Sequence, residues 1–120
     1  MLTAPSLTPS TSTERRSEPR LRYSWQMYFQ HPEDGRMEQG RTLDLSRSGA
    51  AFTTGCDSRL WPGKELLLRM THPMVLGESF SVLEVRRAAE VLRVDPYNGD
   101  CNRVAVRLTT PLDYDPASDA

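Results

Sequence analysis

Two short stretches of this 120-residue chain carry side chains suited to binding a polar ligand. The first is residues 42–50, Thr-Leu-Asp-Leu-Ser-Arg-Ser-Gly-Ala, where two leucines alternate with Asp44 and Ser46. This alternation is typical of a half-buried strand, so the carboxylate and the hydroxyl should share one polar face. Gly49 permits a positive φ or a close backbone approach. The stretch could hold the donor edge of a base and a phosphate, although Asp, Ser and Gly are also ordinary turn residues.

The second stretch is residues 14–22, Glu-Arg-Arg-Ser-Glu-Pro-Arg-Leu-Arg, which contains Arg16 and Arg20 four positions apart. A guanidinium group forks onto phosphate or onto the O6 and N7 edge of guanine, and it stacks on aromatic rings. All but one of the 15 basic residues are arginine, and Arg103 and Arg107 repeat the same spacing. The pair alone is therefore weak evidence, and a solvated charged linker is the alternative interpretation.

Taken together, the two stretches resemble the two-part signature of the PilZ domain family, bacterial β-barrel modules that bind cyclic di-GMP. Arg16 and Arg20 match the Arg-x-x-x-Arg part of the signature. Asp44, Ser46 and Gly49 match the Asp-x-Ser-x-x-Gly part, which follows about two dozen residues later. The resemblance covers roughly residues 14–110, and the second part is the more specific of the two.

The resemblance implies a role for each matching side chain. The motif arginines would bind the phosphates and guanines, and Asp44 would accept hydrogen bonds from the N1–H and amino groups of a guanine. Ser46 would hydrogen-bond the ligand, and Gly49 would let the backbone come close to it. Arg15, directly before the first motif arginine, is a candidate for a further stacking or phosphate contact, and Arg47 is a weaker one.

Length and charge narrow the class of protein. A chain of 120 residues fits one domain with one modest core. Its net charge of −1 gives no general attraction to polymeric nucleic acid or to a membrane surface. Cys56 and Cys101 form no C-x-x-C motif, which suits a reducing cytoplasm. We recognise neither a signal peptide nor an apolar run of about 20 residues, so we expect a cytoplasmic protein without a membrane span.

The sequence also gives no sign of catalysis. His31 and His72 each precede a proline and have no partner at metal-ligand spacing. We find no Ser-His-Asp set, no glycine-rich phosphate loop and no isolated carboxylate pair. The expectation is a binding module that is not an enzyme and has no metal or cofactor besides its ligand.

Alternating apolar residues and regular turn signals predict an all-β fold. We expect a six-stranded antiparallel PilZ-type β-barrel with a flexible N-terminal arm and a short acidic C-terminal tail. The predicted strands are 23–29, 36–45, one that begins after Gly49 and continues through 53, 65–70, 80–94 and 103–108. Trp25 is predicted to lie in the core, Leu66, Leu68 and Met70 to share one face of their strand, and Val104, Val106 and Leu108 to point inward. The spacing within 80–94 also fits a helix, but a long bent strand suits the barrel better. Residues 71–77 are expected to be a loop and 95–100 a hairpin turn.

The predicted organisation has four parts. Residues 1–13 form a disordered tail, 14–22 the ligand-binding arm, 23–110 the barrel and 111–120 a loose acidic tail that leaves one barrel end less covered. Because the arm is polar, we expect it to reach the barrel only when ligand binds. That ordering would then signal to an unidentified downstream protein.

Two other functions fit parts of the pattern. One is a PilZ-like adaptor in pilus or flagellar assembly that binds no nucleotide; such members usually lose the motif residues, whereas all five are present here. The other is an unrelated small barrel that binds single-stranded nucleic acid through aromatic residues over a basic groove. The near-neutral charge and the in-phase aromatic residues argue against it.

Overall fold

The computed structural model describes residues 18–117, so Arg15, Arg16 and the predicted 1–13 tail lie outside the described part of the chain. Within that part the protein is all-β. None of the described residues forms a helix that is long and apolar enough to cross a membrane. The strands are β1 (Leu21–Arg22), β2 (Gln26–Gln30), β3 (Met37–Leu45), β4 (Gly49–Gly55), β5 (Glu65–Leu76), β6 (Ser79–Asn98) and β7 (Cys101–Leu108).

Strands β2 to β7 close into a six-stranded antiparallel ring in the order β3-β2-β5-β6-β7-β4, with β4 pairing back onto β3. The short strand β1 pairs with β3 beyond the end of β2. The predicted all-β antiparallel fold is therefore confirmed, and β1 adds a seventh strand on the arm. Closure of the ring leaves few unpaired strand edges.

Alternate side chains of the ring point inward and form one apolar core. Phe29 and Phe52 lie 5.2 Å apart between ring centroids at its centre. The predicted inward sets on β5 and β7 are confirmed. The core cluster consists of Met27, Phe29, Leu45, Ala50, Phe52, Leu66, Leu68, Met70, Val85, Ala89, Val91, Val104, Val106, Leu108 and Leu112.

The prediction that Trp25 belongs to this core is wrong. Trp25 is half-buried and contacts Tyr23 edge to face, with 6.0 Å between the ring centroids. Burial still alternates through this segment, with Tyr23 and Trp25 less exposed than Ser24 and Gln26. Trp25 precedes β2, however, and it is not among the residues that form the core cluster or pack against it.

In the long β5–β6 hairpin, the loop predicted for 71–77 is wrong and the strand predicted for 80–94 is confirmed. Residues 71–77 were expected to be a loop because of Pro73, yet β5 continues to Leu76 and turns only at 77–78. Beyond Arg69, β5 is no longer paired with β2, so its outer edge has no strand partner among residues 18–117, and a proline is tolerated on such an edge. Strand β6 is the long strand predicted for 80–94, and the following turn narrows to 99–100.

The C-terminal tail is also packed differently from the prediction. Through residue 117 it is not loose, because Leu112 is only 1% exposed and Tyr114 packs against the core. The backbone N–H of Leu112 donates to the Arg47 carbonyl, and the Arg47 Nε–H donates to the Leu112 carbonyl, both at 2.8 Å. The hydroxyl of Tyr114 lies 2.8 Å from Nε2 of buried His72. The tail therefore covers part of the ring without forming a helix.

Candidate ligand-binding site

A β-bulge at the end of β3 sets the direction of the Asp44 side chain. Thr42 pairs with Phe52, whereas Asp44 pairs with Ala51, so Leu43 is an extra residue on β3. Thr42 is consequently fully buried and Leu43 only half-buried, and the simple alternation predicted from the leucines is wrong at this point. After the bulge Leu45 enters the core, and Asp44 faces the outside of the ring.

The turn after Asp44 is closed by its own polar groups. The Ser46 amide donates to the Gly49 carbonyl at 2.8 Å, and the Gly49 amide donates to the Ser46 hydroxyl oxygen at 3.2 Å. Ser46 is only 2% exposed. Gly49 does not have a positive φ; instead, a Cβ there would lie 3.0 Å from the Val106 carbonyl oxygen. The close approach predicted for Gly49 is thus to β7, and Ser46 holds the turn.

The two motif halves meet at Asp44. Nη1 of Arg20 donates to Oδ1 of Asp44 at 2.9 Å, across a separation of 24 residues. The Asp44 side chain is 12% exposed and the Arg20 side chain 33%. Strand β1, directly after Arg20, pairs with the end of β3 and keeps the arm in place. The expectation that the arm reaches the barrel only with ligand is therefore wrong for residues 18–22.

A second contact fastens the arm to the turn. The Glu18 carboxylate accepts hydrogen bonds from the Ser48 hydroxyl at 2.7 Å and from the Ser48 amide at 3.2 Å. The hydroxyl donor in particular stabilises the charged carboxylate, so it lowers the pKa of Glu18 below the usual value of 4.5. The arm thus has two polar anchors, Glu18 on the turn and Arg20 on Asp44.

Arg20 also borders a groove of about 280 Å³ on the outer face of β4, β6 and β7. Its floor includes Ala51 and Ala105, which face each other across the β4–β7 pair. Arg93 and Arg103 stand at its sides. The groove thus brings small apolar side chains and guanidinium groups together, which suits an anionic ligand with planar rings.

The remaining candidates lie elsewhere. Arg47 is engaged with the C-terminal tail, as described above. A larger groove, of about 380 Å³, lies on β2, β3, β5 and β6 and contains none of the motif residues. Within residues 18–117 we find no group of three or more His, Cys, Asp or Glu side chains that could hold a metal ion.

Sequence reasoning missed the two groove arginines contributed by β6 and β7. A signal for one of them was present, since Arg103, Ala105 and Arg107 alternate on one face of β7. That pattern places cations beside a small residue on the outside of the ring. It was outweighed by the high frequency of arginine in the chain.

The fold is an all-β domain in which the turn and the arm meet in a polar contact, and comparisons with known proteins place it in a family. The family model for the PilZ domain matches residues 14–117, so the chain belongs to the PilZ domain family. No curated protein sequence matches it significantly.

Solved structures support the same fold. One similar structure is the Bacillus subtilis inhibitor of motility, MotI/DgrA, with a TM-score of 0.65 and 16% sequence identity. The match covers 82% of this chain and 44% of that protein, so the present chain spans less than half of its length. At this identity the likeness concerns the fold.

Proposed function

We propose that this domain is a bacterial receptor module for cyclic di-GMP that relays the second messenger to a downstream protein. The observation that carries the proposal is the contact between Arg20 and Asp44 beside the outer groove. These residues belong to different halves of the PilZ signature, and the fold brings them together. The proposed role is that of a cytoplasmic binding module, neither an enzyme nor a reader of polymeric nucleic acid.

The chemistry of the ligand fits this surface. Cyclic di-GMP has two guanines joined by two phosphates, so it needs both a carboxylate acceptor and cationic donors. Asp44 would accept hydrogen bonds from the N1–H and amino groups of one guanine. Arg20 would bind a phosphate or the O6 and N7 edge, assisted by Arg16 and Arg15 of the arm. Ser46 and Gly49 would contribute mainly by holding the turn that presents Asp44.

The contact between Arg20 and Asp44 suggests how the ligand would enter. A guanidinium group and the N1–H and amino edge of guanine both present N–H donors to a carboxylate. In the free protein Arg20 occupies this acceptor. Binding would therefore exchange one donor for another at Asp44 and release Arg20 toward a phosphate. The exchange keeps the largely buried carboxylate hydrogen-bonded in both states, which avoids the cost of leaving it unpaired.

The exchange of donors at Asp44 also suggests how ligand binding could be signalled to a partner protein. Because residues 18–22 already contact the ring, the change on binding would centre on Arg20. A partner that recognises the surface beside β1 and the turn would then distinguish the free from the bound domain. The partner itself stays unidentified.

Isothermal titration calorimetry tests the proposal. The domain should bind cyclic di-GMP and should bind GTP or a short oligonucleotide far more weakly. Arg20→Ala should lower the affinity by about tenfold to more than a hundredfold with the fold intact, because a charge-assisted hydrogen bond is lost. Arg20→Lys should rescue poorly, since the planar fork is lost.

Arg86→Ala is the matched control, because Arg86 is an exposed arginine of β6 outside the groove. It should bind like the unmodified domain. Failure of the unmodified domain to bind cyclic di-GMP would contradict the receptor proposal and favour the adaptor. Equal affinities of the Arg20→Ala and Arg86→Ala variants for cyclic di-GMP would show that Arg20 of the motif does not contribute to binding.

A further inference from the structure

We infer that the outer face of β2, β5 and β6, together with the first residue of β3, is a docking surface for a partner protein whose binding segment is apolar and acidic. This outer wall is defined by five exposed large hydrophobic side chains: Tyr28, Met37, Leu67, Phe80 and Val82. It contains none of the residues of the proposed ligand site. The inference therefore goes beyond the proposed function and does not depend on nucleotide binding.

Strand register places these side chains on one face of the sheet. Gln30 of β2 pairs with Met37 on one side and with Leu67 on the other. Tyr28, two residues before Gln30 and on the same face, pairs with Arg69 of β5. The exposed side chains of neighbouring strands thus form one continuous surface, which includes the groove of about 380 Å³ described above.

The wall continues onto the end of the β5–β6 hairpin, which has no further strand beside it within residues 18–117. Strand β2 leaves β5 after Arg69, and β7 reaches β6 only at Ala89. Every second residue of β6 from 80 to 88 is exposed, and Phe80 and Val82 are 66% and 51% exposed. A two-stranded ribbon is marginally stable by itself, and an apolar patch exposed on one is typical of an interaction surface.

A band of positive charge crosses the middle of the wall. Arg69 and Arg86 are register partners, and the Nε of each donates to the same oxygen, Oε2 of Glu84, at 2.7 and 3.2 Å. Because two guanidinium groups share one carboxylate, the band keeps an excess of positive charge. The Nη nitrogens of both arginines have no hydrogen-bond acceptor in the described part of the chain. Such donors fork onto a carboxylate, so the band favours a partner that carries Asp or Glu between apolar side chains.

The same charge argues against a second copy of this chain as the occupant. In a symmetric dimer the same patch meets itself on both subunits. Two positive bands would then face each other, and the uncompensated charge would double at the centre of the interface. A different protein that brings its own carboxylates compensates this charge.

Selection from a phage-displayed library of random peptides tests the inference on the full chain. From Leu67 to Val75, the register partner of Phe80, β5 rises about 3.3 Å per residue, so the wall is about 26 Å long. Peptides of about 12 residues are long enough to span it. The enriched peptides should be rich in apolar residues with Asp or Glu among them and poor in Lys and Arg.

Two variants show whether a selected, synthesised peptide binds the wall. By fluorescence anisotropy, Arg86→Glu and Phe80→Ser should each lower its affinity about tenfold or more, because one repels the peptide carboxylates and the other removes an aromatic anchor. Arg107→Glu is the matched charge control, since Arg107 is an exposed arginine paired with Glu90 of the neighbouring strand. Tyr97→Ser is the matched aromatic control on β6, at 50% exposed. Both controls should stay within about twofold of the unmodified domain.

Several outcomes would overturn the inference: no enriched peptide, enriched peptides without acidic residues, or equal affinities in the wall variants and their controls. A dimer in light scattering that Phe80→Ser abolishes would assign the wall to a second copy instead. Thermal unfolding checks each variant, and Leu67→Ser on the ring part of the wall replaces Phe80→Ser if the latter unfolds early. The wall variants should bind cyclic di-GMP like the unmodified domain. Absence of cyclic di-GMP binding throughout would contradict the receptor proposal and leave this inference standing.

Discussion

The turn and the arm carry the two facing halves of the proposed site, but they are held to the protein in different ways. The turn connects two paired strands, Leu45 within it is fully buried, and Ser46 closes it with internal hydrogen bonds. The arm adds a strand of only two residues and two polar anchors, Glu18 and Arg20. The comparison teaches that Asp44 is presented by rigid structure, whereas its arginine partner is attached by contacts that can be exchanged.

The strength of these contacts supports that distinction. A partly exposed ion pair such as Arg20–Asp44 contributes little to stability, about 0 to 1 kcal/mol, because water competes for both groups. A fully buried leucine contributes far more through apolar burial and packing. Local opening of the arm is therefore expected at a free energy well below that of global unfolding. The predictions below test this difference, beginning with the largest expected effect.

The clearest test is the same substitution on both sides of the contact between arm and ring. Leu21 and Leu45 are register partners across β1 and β3, but Leu45 is in the core and Leu21 is half-buried. Leu45→Ala should lower the free energy of unfolding by about 2 to 5 kcal/mol, as for other core truncations. Leu21→Ala should cost less than about 1 kcal/mol. Urea denaturation measures both, and similar costs would show that the arm is as integral as the turn.

The ring itself was largely predictable because its strands follow a period of two. Apolar residues at alternate positions of β5 and β7 correctly predicted which side chains face the core. The errors fall where the alternation breaks or where a neighbour decides the outcome. The bulge at Leu43 cannot be read from polarity alone, because it depends on how β3 pairs with β4. The loop predicted around Pro73 is wrong for the same reason, because only the strand pairing shows that this edge of β5 has no partner among the described residues.

The site was predictable only in part. The motif placed Asp44 and Arg20 in one site, and the structure brings them into contact. The motif could not show that the Ser46 hydroxyl hydrogen-bonds within the turn, because the sequence is the same whether this serine contacts a ligand or a backbone amide. Nor could it reveal the alanine floor, which exists only once β4 lies beside β7. Those features depend on long-range strand pairing.

A second prediction separates affinity from stability within the turn. Asp44→Asn should weaken cyclic di-GMP binding about tenfold or more, because one acceptor oxygen is replaced by a donor that faces other donors. Ser46→Ala should weaken binding by a smaller factor. For the free energy of unfolding the order should reverse: Ser46→Ala removes the acceptor of the Gly49 amide and should cost about 1 kcal/mol.

Calorimetry ranks these two variants by affinity, and urea denaturation ranks them independently by free energy of unfolding. Loss of stability mainly in Asp44→Asn would mean that the ion pair with Arg20 is structural. If Ser46→Ala instead has the larger effect on affinity, the hydroxyl contacts ligand, and the assignment of Asp44 to the guanine edge is wrong.

The smallest expected effect is a pH-dependent release of the arm through Glu18. Hydrogen bonds from Ser48 lower the pKa of this carboxyl below 4.5, so the folded contact favours the charged form. The attachment is therefore complete above the ordinary pKa and is lost as the pH falls through the lowered one. The Ser48 amide resonance in NMR spectra should follow this titration with a midpoint below 4.5, whereas the Gly49 amide, which donates to Ser46, should change much less. In Glu18→Gln the Ser48 titration should disappear, because that side chain carries no charge to lose. A midpoint at or above 4.5, or a Ser48 titration that survives in Glu18→Gln, would show that Glu18 does not anchor the arm, and the contrast between a fixed turn and a releasable arm would then rest on Arg20 alone.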